Sequence, residues 1–598
     1  MARDVFSPLE AANASASEYI RCWDQGLFAG AFVFAIVFAA ALWTYWTLAS
    51  PTLGVLASLQ AVADALIRIA TQGGSGSFEG VRQAPSSAAG AIASFVLAGL
   101  AGIWTGAIVA RPINRVRHLE GPRLLEDKEA LELARRLTTS DAWVYLHPSL
   151  GLSKFVWNRH VLITGGVGAG KTQILWGVMS QILEMGKYGR KAFIFDSKGD
   201  YTAAIEEAVI ISPWDARSYA WDLCADISTP ESAAIFAQSM IPVKEGEFFG
   251  PAAQEILIGV LLELMHDWQH EKIRWDWSTL SQRLNLPAEE LKSIMARHHP
   301  PGHRLLEDPT STTALNILQT VSAHTRPIEQ LAIAWGGKKR QLSLRKWAAE
   351  GYNGRRQIVA QGGPDPDLTR RCISAMINTL IPEVISPALP DDEQRALVFL
   401  LDEFPSLGKI NVAPLIDKGR SKGCVVILGY QSIEQIKDIY GNNFANGLTT
   451  MCGTHIVCQT FMGDTQELIA GHFGKRRVAV TSFSAGASGI SATQHEEQRQ
   501  VVPPSLLATG LGPVRYPNGK FEIRAIVETG GCDPMLLTWQ GVPMPKLRPT
   551  FVRAEWMKGV AHKPVVEEPE APEAPVAKPS RLKLKNDKLA EMMRDLGL

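Results

Sequence analysis

The stretch GGVGAGKT, residues 165–172, constrains the fold of this chain more than any other segment. Gly165, Gly170, Lys171 and Thr172 match the spacing G-x-x-x-x-G-K-[ST], in which small residues let successive backbone N–H groups curl around a phosphate. Such a loop works between a strand and a helix, and both flanks fit. HVLIT, residues 160–164, is a short apolar, β-rich run, and QILWGVMSQILEMG, residues 173–186, carries apolar residues at helical spacing and closes on glycine. The helix aims its positive N-terminus at the loop. The backbone of Gly165, Gly166, Val167, Gly168, Ala169 and Gly170 is expected to cradle the β-phosphate of ATP. Lys171 is expected to reach the β and γ oxygens, and Thr172 to hold Mg2+. The implied fold is α/β with a mostly parallel sheet.

A phosphate loop needs an acidic strand end beside it. ALVFLLDEF, residues 396–404, supplies one. Asp402 is expected to hold Mg2+ through water and Glu403 to polarise the attacking water. Adjacent strand residues point to opposite faces, so both can serve only where the chain leaves the sheet. CVVILGYQS, residues 424–432, is a further strand ending in Gln431, an amide placed to sense the γ-phosphate. KAFIFDSKGDY offers a fourth strand, with Asp196, Lys198 and Asp200 as a candidate strand-tip site on the face where open parallel sheets bind ligands. A solvated turn accounts for those three residues equally well.

Two uncharged runs, residues 27–49 and 88–110, are each long enough to cross a lipid bilayer, which takes about 20 residues. Trp43, Trp46 and Trp104 suit an interfacial belt. The first run starts late and lacks a basic n-region, so it reads as an anchor and not a signal peptide. Arg111, Arg115 and Arg117 follow the second run and place the large C-terminal part in the cytoplasm. The N-terminus then shares that side, and residues 50–87 form a periplasmic loop. Acidic and basic residues balance at 60 each over 598 residues, which leaves room for a local basic lining. The seven cysteines are scattered without CxxC spacing and read as reduced thiols.

GGVGAGKT, FIFDSKGDY, ISPWDARSYAWDL, LLDEFPSLGKI and GRSKGCVVILGYQSIEQIKDIYG, taken in order, resemble the type IV coupling proteins of bacterial conjugation, most closely the TraD group, including those of integrative conjugative elements. The third and fifth blocks are the specific ones; the others are shared by RecA-like motors generally. The resemblance implies a RecA-like P-loop motor with an inserted all-α domain. It implies a homo-hexameric ATPase in the bacterial inner membrane, at the base of a type IV secretion channel. Such a motor takes single-stranded DNA with its relaxase from the relaxosome. It also implies that Arg420, in GRSKG, acts as a finger on a neighbouring subunit's γ-phosphate, although Ser421 departs from the family's lysine. Gln431 matches the family's QS glutamine.

The resulting domain expectation is an anchor over 1–118, motor segments over 119–228 and 326–560, and a helical insert over 229–325. A Pro/Glu-rich linker over 561–580 and an amphipathic tail over 581–598 follow, the pair reading as disordered. Leu589, Met592, Met593 and Leu596 share one face of that tail, and kinship implies a relaxosome accessory protein as its partner. Lys338, Lys339 and Arg340, and Lys475, Arg476 and Arg477, are candidate DNA phosphate contacts. Two rival readings remain at this level: an FtsK-like double-stranded DNA pump, and a docking receptor for effector proteins without motor activity.

Overall fold

The computed structural model describes residues 19–20, 23–49, 86–109, 113–114, 116–184, 190–243, 246–461, 463–486 and 489–557. The loop expected over 50–87 lies almost wholly outside them, and the linker and tail lie outside them altogether. The chain divides into two compact units, 1–193 with 384–544, and 194–383 with 545–598.

In the first unit, apolar β-branched runs form a mixed sheet. We number its strands β1 Val161–Thr164, β2 Leu397–Leu401, β3 Cys424–Tyr430, β4 Thr454–Val457, β5 Gly512–Arg515, β6 Phe521–Thr529 and β7 Met535–Gln540. β2, β3, β1 and β4 run parallel in that order; β6 closes the sheet antiparallel to β4 and also pairs with β5 and β7. The central strands are buried on both faces, which is why they read as unbroken apolar runs and not as alternating ones. The register aligns Thr164 with Tyr430 and Val457, so three strands end in one row. A second, three-stranded sheet pairs Val116–Glu120 with the long hairpin Lys475–Gly486 and Gly489–Gln500.

The same unit carries two apolar helices, Trp23–Ala49 and Ser86–Val109. Phe95 packs edge-on against Phe34 and Phe38, and a Cβ on Gly30 would stand 2.7 Å from the Gly102 carbonyl oxygen. Rising numbers on one helix meet falling numbers on the other, so the pair is antiparallel, and glycines let the backbones approach. Among the described residues one stretch, Ile92–Val109, is long and apolar enough to cross a membrane; the first helix contributes a shorter one, Leu27–Ala41. Two crossings are therefore not established by the helices themselves. Their outer faces are apolar and open, with Phe28, Trp43, Ile103 and Trp104 each at least 70% exposed.

The second unit holds strands Val209–Ile211 and Gln357–Gln361, paired parallel, and a run of helices from Pro230–Met240 to Thr312–Trp335. Trp221, Phe236, Trp277 and Trp335 pack ring on ring at its centre, with centroids 5.7–6.0 Å apart. The last helix continues past residue 325 and through Pro327 to Trp335. The proline ring forfeits one backbone hydrogen bond, but Ile328, Leu331 and Trp335 are fully buried and hold the helix together. All six described cysteines are free thiols.

Candidate nucleotide site

The phosphate loop leaves β1 at Thr164 and enters the helix Lys171–Glu184. Two glycines are required by conformation: Gly168 and Gly170 have φ of 76° and 94°. Gly170 is also required by space, since a Cβ there would lie 2.7 Å from Ile523 Cγ2. The loop is fixed from below by the neighbouring strand ends. Gly165 N donates to the Tyr430 carbonyl at 3.2 Å and Gly166 N to the Gln459 carbonyl at 2.8 Å. Lys171 is 7% exposed, and its Nζ donates to the Gly165 carbonyl at 2.5 Å and the Gly166 carbonyl at 3.3 Å, which curls the ammonium over the loop.

Thr172 Oγ1 donates to Asp402 Oδ2 at 3.0 Å. A hydroxyl and a carboxylate in contact at the mouth of a phosphate loop are a hard-oxygen donor set suited to a Mg2+ bound to a nucleotide. Asp402 is the first residue after β2, opposite Gly429 in the extended register of β3. Glu403 follows and caps the short 3-10 turn Phe404–Leu407, so the chain has left the sheet and both carboxylates can face the same side. Gln431, the first residue after β3, donates from Nε2 to Glu403 Oε2. The amide thus orients the candidate base.

Arg420 is elsewhere. It ends the helix Val412–Gly419, before β3 begins, while the loop sits after β3 ends. The strand between them has seven residues, about 20 Å of extended chain. Its guanidinium rests 4.6 Å above the Phe155 ring. Asp196, Lys198 and Asp200 belong to the second unit. Asp196 is 2% exposed, and its two oxygens accept from Gly199 N at 2.8 Å, Thr202 N at 2.7 Å and Thr202 Oγ1 at 2.8 Å, so it holds the turn into Asp200–Ala204. Lys198 is exposed and Asp200 half-buried.

A type IV secretion-system coupling protein DNA-binding domain matches residues 144–512, more than half of the 598-residue chain. The chain belongs to this family. The coupling protein TraD of Escherichia coli strain K12 is 23% identical over 390 residues, which are 61% of this chain and 52% of the relative. The chain thus spans about half the length of that curated relative. Solved structures of the conjugative coupling protein TrwB share the fold. Its unbound ΔN70 form matches at a TM-score of 0.59 and 20% identity, covering 73% of this chain and 96% of that one. Its complex with ADP and Mg2+ matches at 0.57 and 20%, covering 73% and 97%, and its complex with the ATP analogue ADPNP at 0.56 and 19%, covering 73% and 98%.

Within this coupling-protein fold, two residues inside the quoted segments shape the site in roles that spacing does not reveal. Gly429 leaves room for Asp402: a Cβ would stand 2.1 Å from the Asp402 carbonyl oxygen. His160 Nδ1 accepts from Val426 N at 3.1 Å and its Nε2 donates to the Ile416 carbonyl at 2.9 Å, tying β3 and the Arg420 helix to the start of β1. Burial pushes its pKa down to about 4, so the ring is neutral. Of the basic runs, Arg477 is already shared between Glu120 at 2.9 Å and Glu496 at 2.6 Å, and Lys338 is half-buried, its Nζ 3.4 Å from the Ser218 carbonyl.

Proposed function

We propose that the chain is a membrane-anchored coupling ATPase of a conjugative type IV secretion system. The observation that carries this reading is the convergence of Lys171, Thr172, Asp402, Glu403 and Gln431 on one loop, in a chain of the coupling-protein family. ATP with Mg2+ is the ligand this donor set suits, and TrwB, of the same fold, is known with ADP and Mg2+. Thr172 and Asp402 would hold the ion, which supplies charge neutralisation on the β and γ oxygens. Lys171 binds those oxygens. Glu403, oriented by Gln431, accepts a proton from the attacking water.

A strand's length separates Arg420 from its own loop, which favours service to a neighbour's site in a ring, here a homo-hexamer. The antiparallel apolar helices, with open apolar outer faces, support a two-span anchor in the bacterial inner membrane with both termini cytoplasmic. The substrate of this motor is single-stranded DNA with its relaxase, delivered to the secretion channel. An accessory relaxosome protein docks on the tail.

The test is ATP turnover by the detergent-solubilised full chain across protein concentration, with and without single-stranded DNA, beside Glu403→Gln. Turnover should rise with concentration and with DNA, and Glu403→Gln should retain ATP while turning over roughly 10²–10⁴-fold more slowly. Unchanged turnover in Glu403→Gln would remove the base assignment. An absence of hydrolysis at every concentration would remove the motor reading.

A further inference from the structure

A second polar cluster lies in the first unit and takes no part in the nucleotide chemistry. His455 on β4 stands directly opposite Glu528 on β6 in the antiparallel register, so the two side chains share one face of the sheet. His472, in the last turn of the helix Asp464–Phe473, covers that face. Its Nε2 lies 2.6 Å from Glu528 Oε2, and its ring centroid is 4.7 Å from that of His455. One ligand atom from each of the three residues falls within 4.8 Å of the other two.

The chemistry of the trio is specific. Two imidazoles and a carboxylate are the protein ligands of an open tetrahedral zinc site, which leaves a fourth position for water. His455 is 8% exposed. Its Nε2 lies 3.1 Å from the Cys452 carbonyl. A carbonyl only accepts, so Nε2 carries the proton and Nδ1 the lone pair, the backbone support that metal-ligating histidines use. The His472 and Glu528 side chains are about a quarter exposed, at 26% and 24%, which opens a path from solvent.

We propose that His455, His472 and Glu528 bind a divalent transition-metal ion of the zinc class, joining β4, β6 and the helix Asp464–Phe473. Two residues past the end of the strand so pinned comes Gln459, whose carbonyl holds Gly166 of the phosphate loop. The ion therefore braces the floor of the nucleotide site. This assignment stands independently of the proposed ATPase activity.

The test uses the tag-free full chain in detergent, stripped with chelator, then equilibrated with micromolar Zn2+ or Co2+. Bound metal is counted by mass spectrometry, Co2+ geometry is read from its visible absorption, and Tm is measured with and without Zn2+. A second histidine group, His266, His270 and His298, lies in the other unit with ring centroids 4.3 and 5.0 Å apart, so His270→Ala is the control for adventitious uptake. The native chain and His270→Ala should each retain about one ion at the proposed site, with a tetrahedral Co2+ spectrum and a raised Tm. His472→Ala and the near-isosteric Glu528→Gln should weaken that binding about 100-fold, since loss of even a supporting partner costs roughly 10–100-fold. Three results would each overturn the site: uptake abolished by His270→Ala, uptake unchanged in both His472→Ala and Glu528→Gln, or no uptake at all. The last would leave a His472–Glu528 hydrogen bond beside the His455 ring.

Discussion

Gly429 carries more of the site than its chemistry suggests. A methyl group there would meet not a flexible side chain but backbone, with the Asp402 carbonyl carbon 2.8 Å and its Cα 3.0 Å from the added Cβ. Gly429→Ala should therefore push Asp402 away from Thr172. It should destabilise the fold by about 1–3 kcal/mol, the usual cost of overpacking, and weaken magnesium-nucleotide binding. Thermal unfolding with and without Mg-ATP checks both, and a variant with native Tm and native nucleotide stabilisation would remove the steric argument. At this scale the sequence was legible where the chemistry is local. The residues 165–172, and the acid pair Asp402–Glu403 after an apolar run, announce themselves by spacing. Gly429 and His160 do not, because their roles depend on which strand lies beside which. Asp196 shows the converse. Its carboxylate reads as a candidate ligand, yet both its oxygens are satisfied by the turn that follows it.

Among the elements, the block ISPWDARSYAWDL is one of the two specific stretches of the family resemblance, and the structure gives it an architectural role. Asp215 is fully buried and takes two hydrogen bonds from the Arg217 guanidinium, at 2.9 and 2.7 Å, and one from Val552 N. Arg217 in turn donates to the Pro549 carbonyl at 2.8 Å, so the block fastens the segment that re-enters the second unit after residue 544. Spacing cannot reveal a partner more than three hundred residues away. The extension of the helix Thr312–Trp335 past residue 325 was not legible in the sequence for a related reason, since burial outweighs a proline. His160 performs a similar tie inside the first unit and yields a pH prediction. Its folded pKa is depressed from 6.5 to about 4, so the folded state favours the neutral ring. The stability it contributes is present above about pH 6.5 and is lost as pH falls through about 4. Between pH 7 and pH 5 that loss is about 2 kcal/mol. Denaturant midpoints at the two pH values should therefore fall further for the native chain than for His160→Asn. Equal falls in both would assign the acid sensitivity to other groups.

Across the whole molecule, the seven-residue length of β3 sets Arg420 apart from the loop of its own chain. Sheet geometry makes the separation firm. Arg420 precedes the seven-residue strand and Gln431 follows it, and no loop flexibility shortens a paired strand. If the proposed ring forms, each site is assembled from one subunit's loop and the next subunit's arginine, which stabilises charge developing on the γ-phosphate. Lys171→Ala and Arg420→Ala should then each be inactive alone, for different reasons: the first has no working loop but a sound finger, the second the reverse. Mixed in equal amounts and allowed to exchange subunits, they should recover turnover at about a quarter of the sites, where a sound loop meets a sound finger in a head-to-tail ring. ATP hydrolysis measured on the mixture, with each variant alone as baseline, reads this directly. An arginine that acts within its own subunit leaves the mixture as inactive as its components, because every chain would then carry one broken half of its own site.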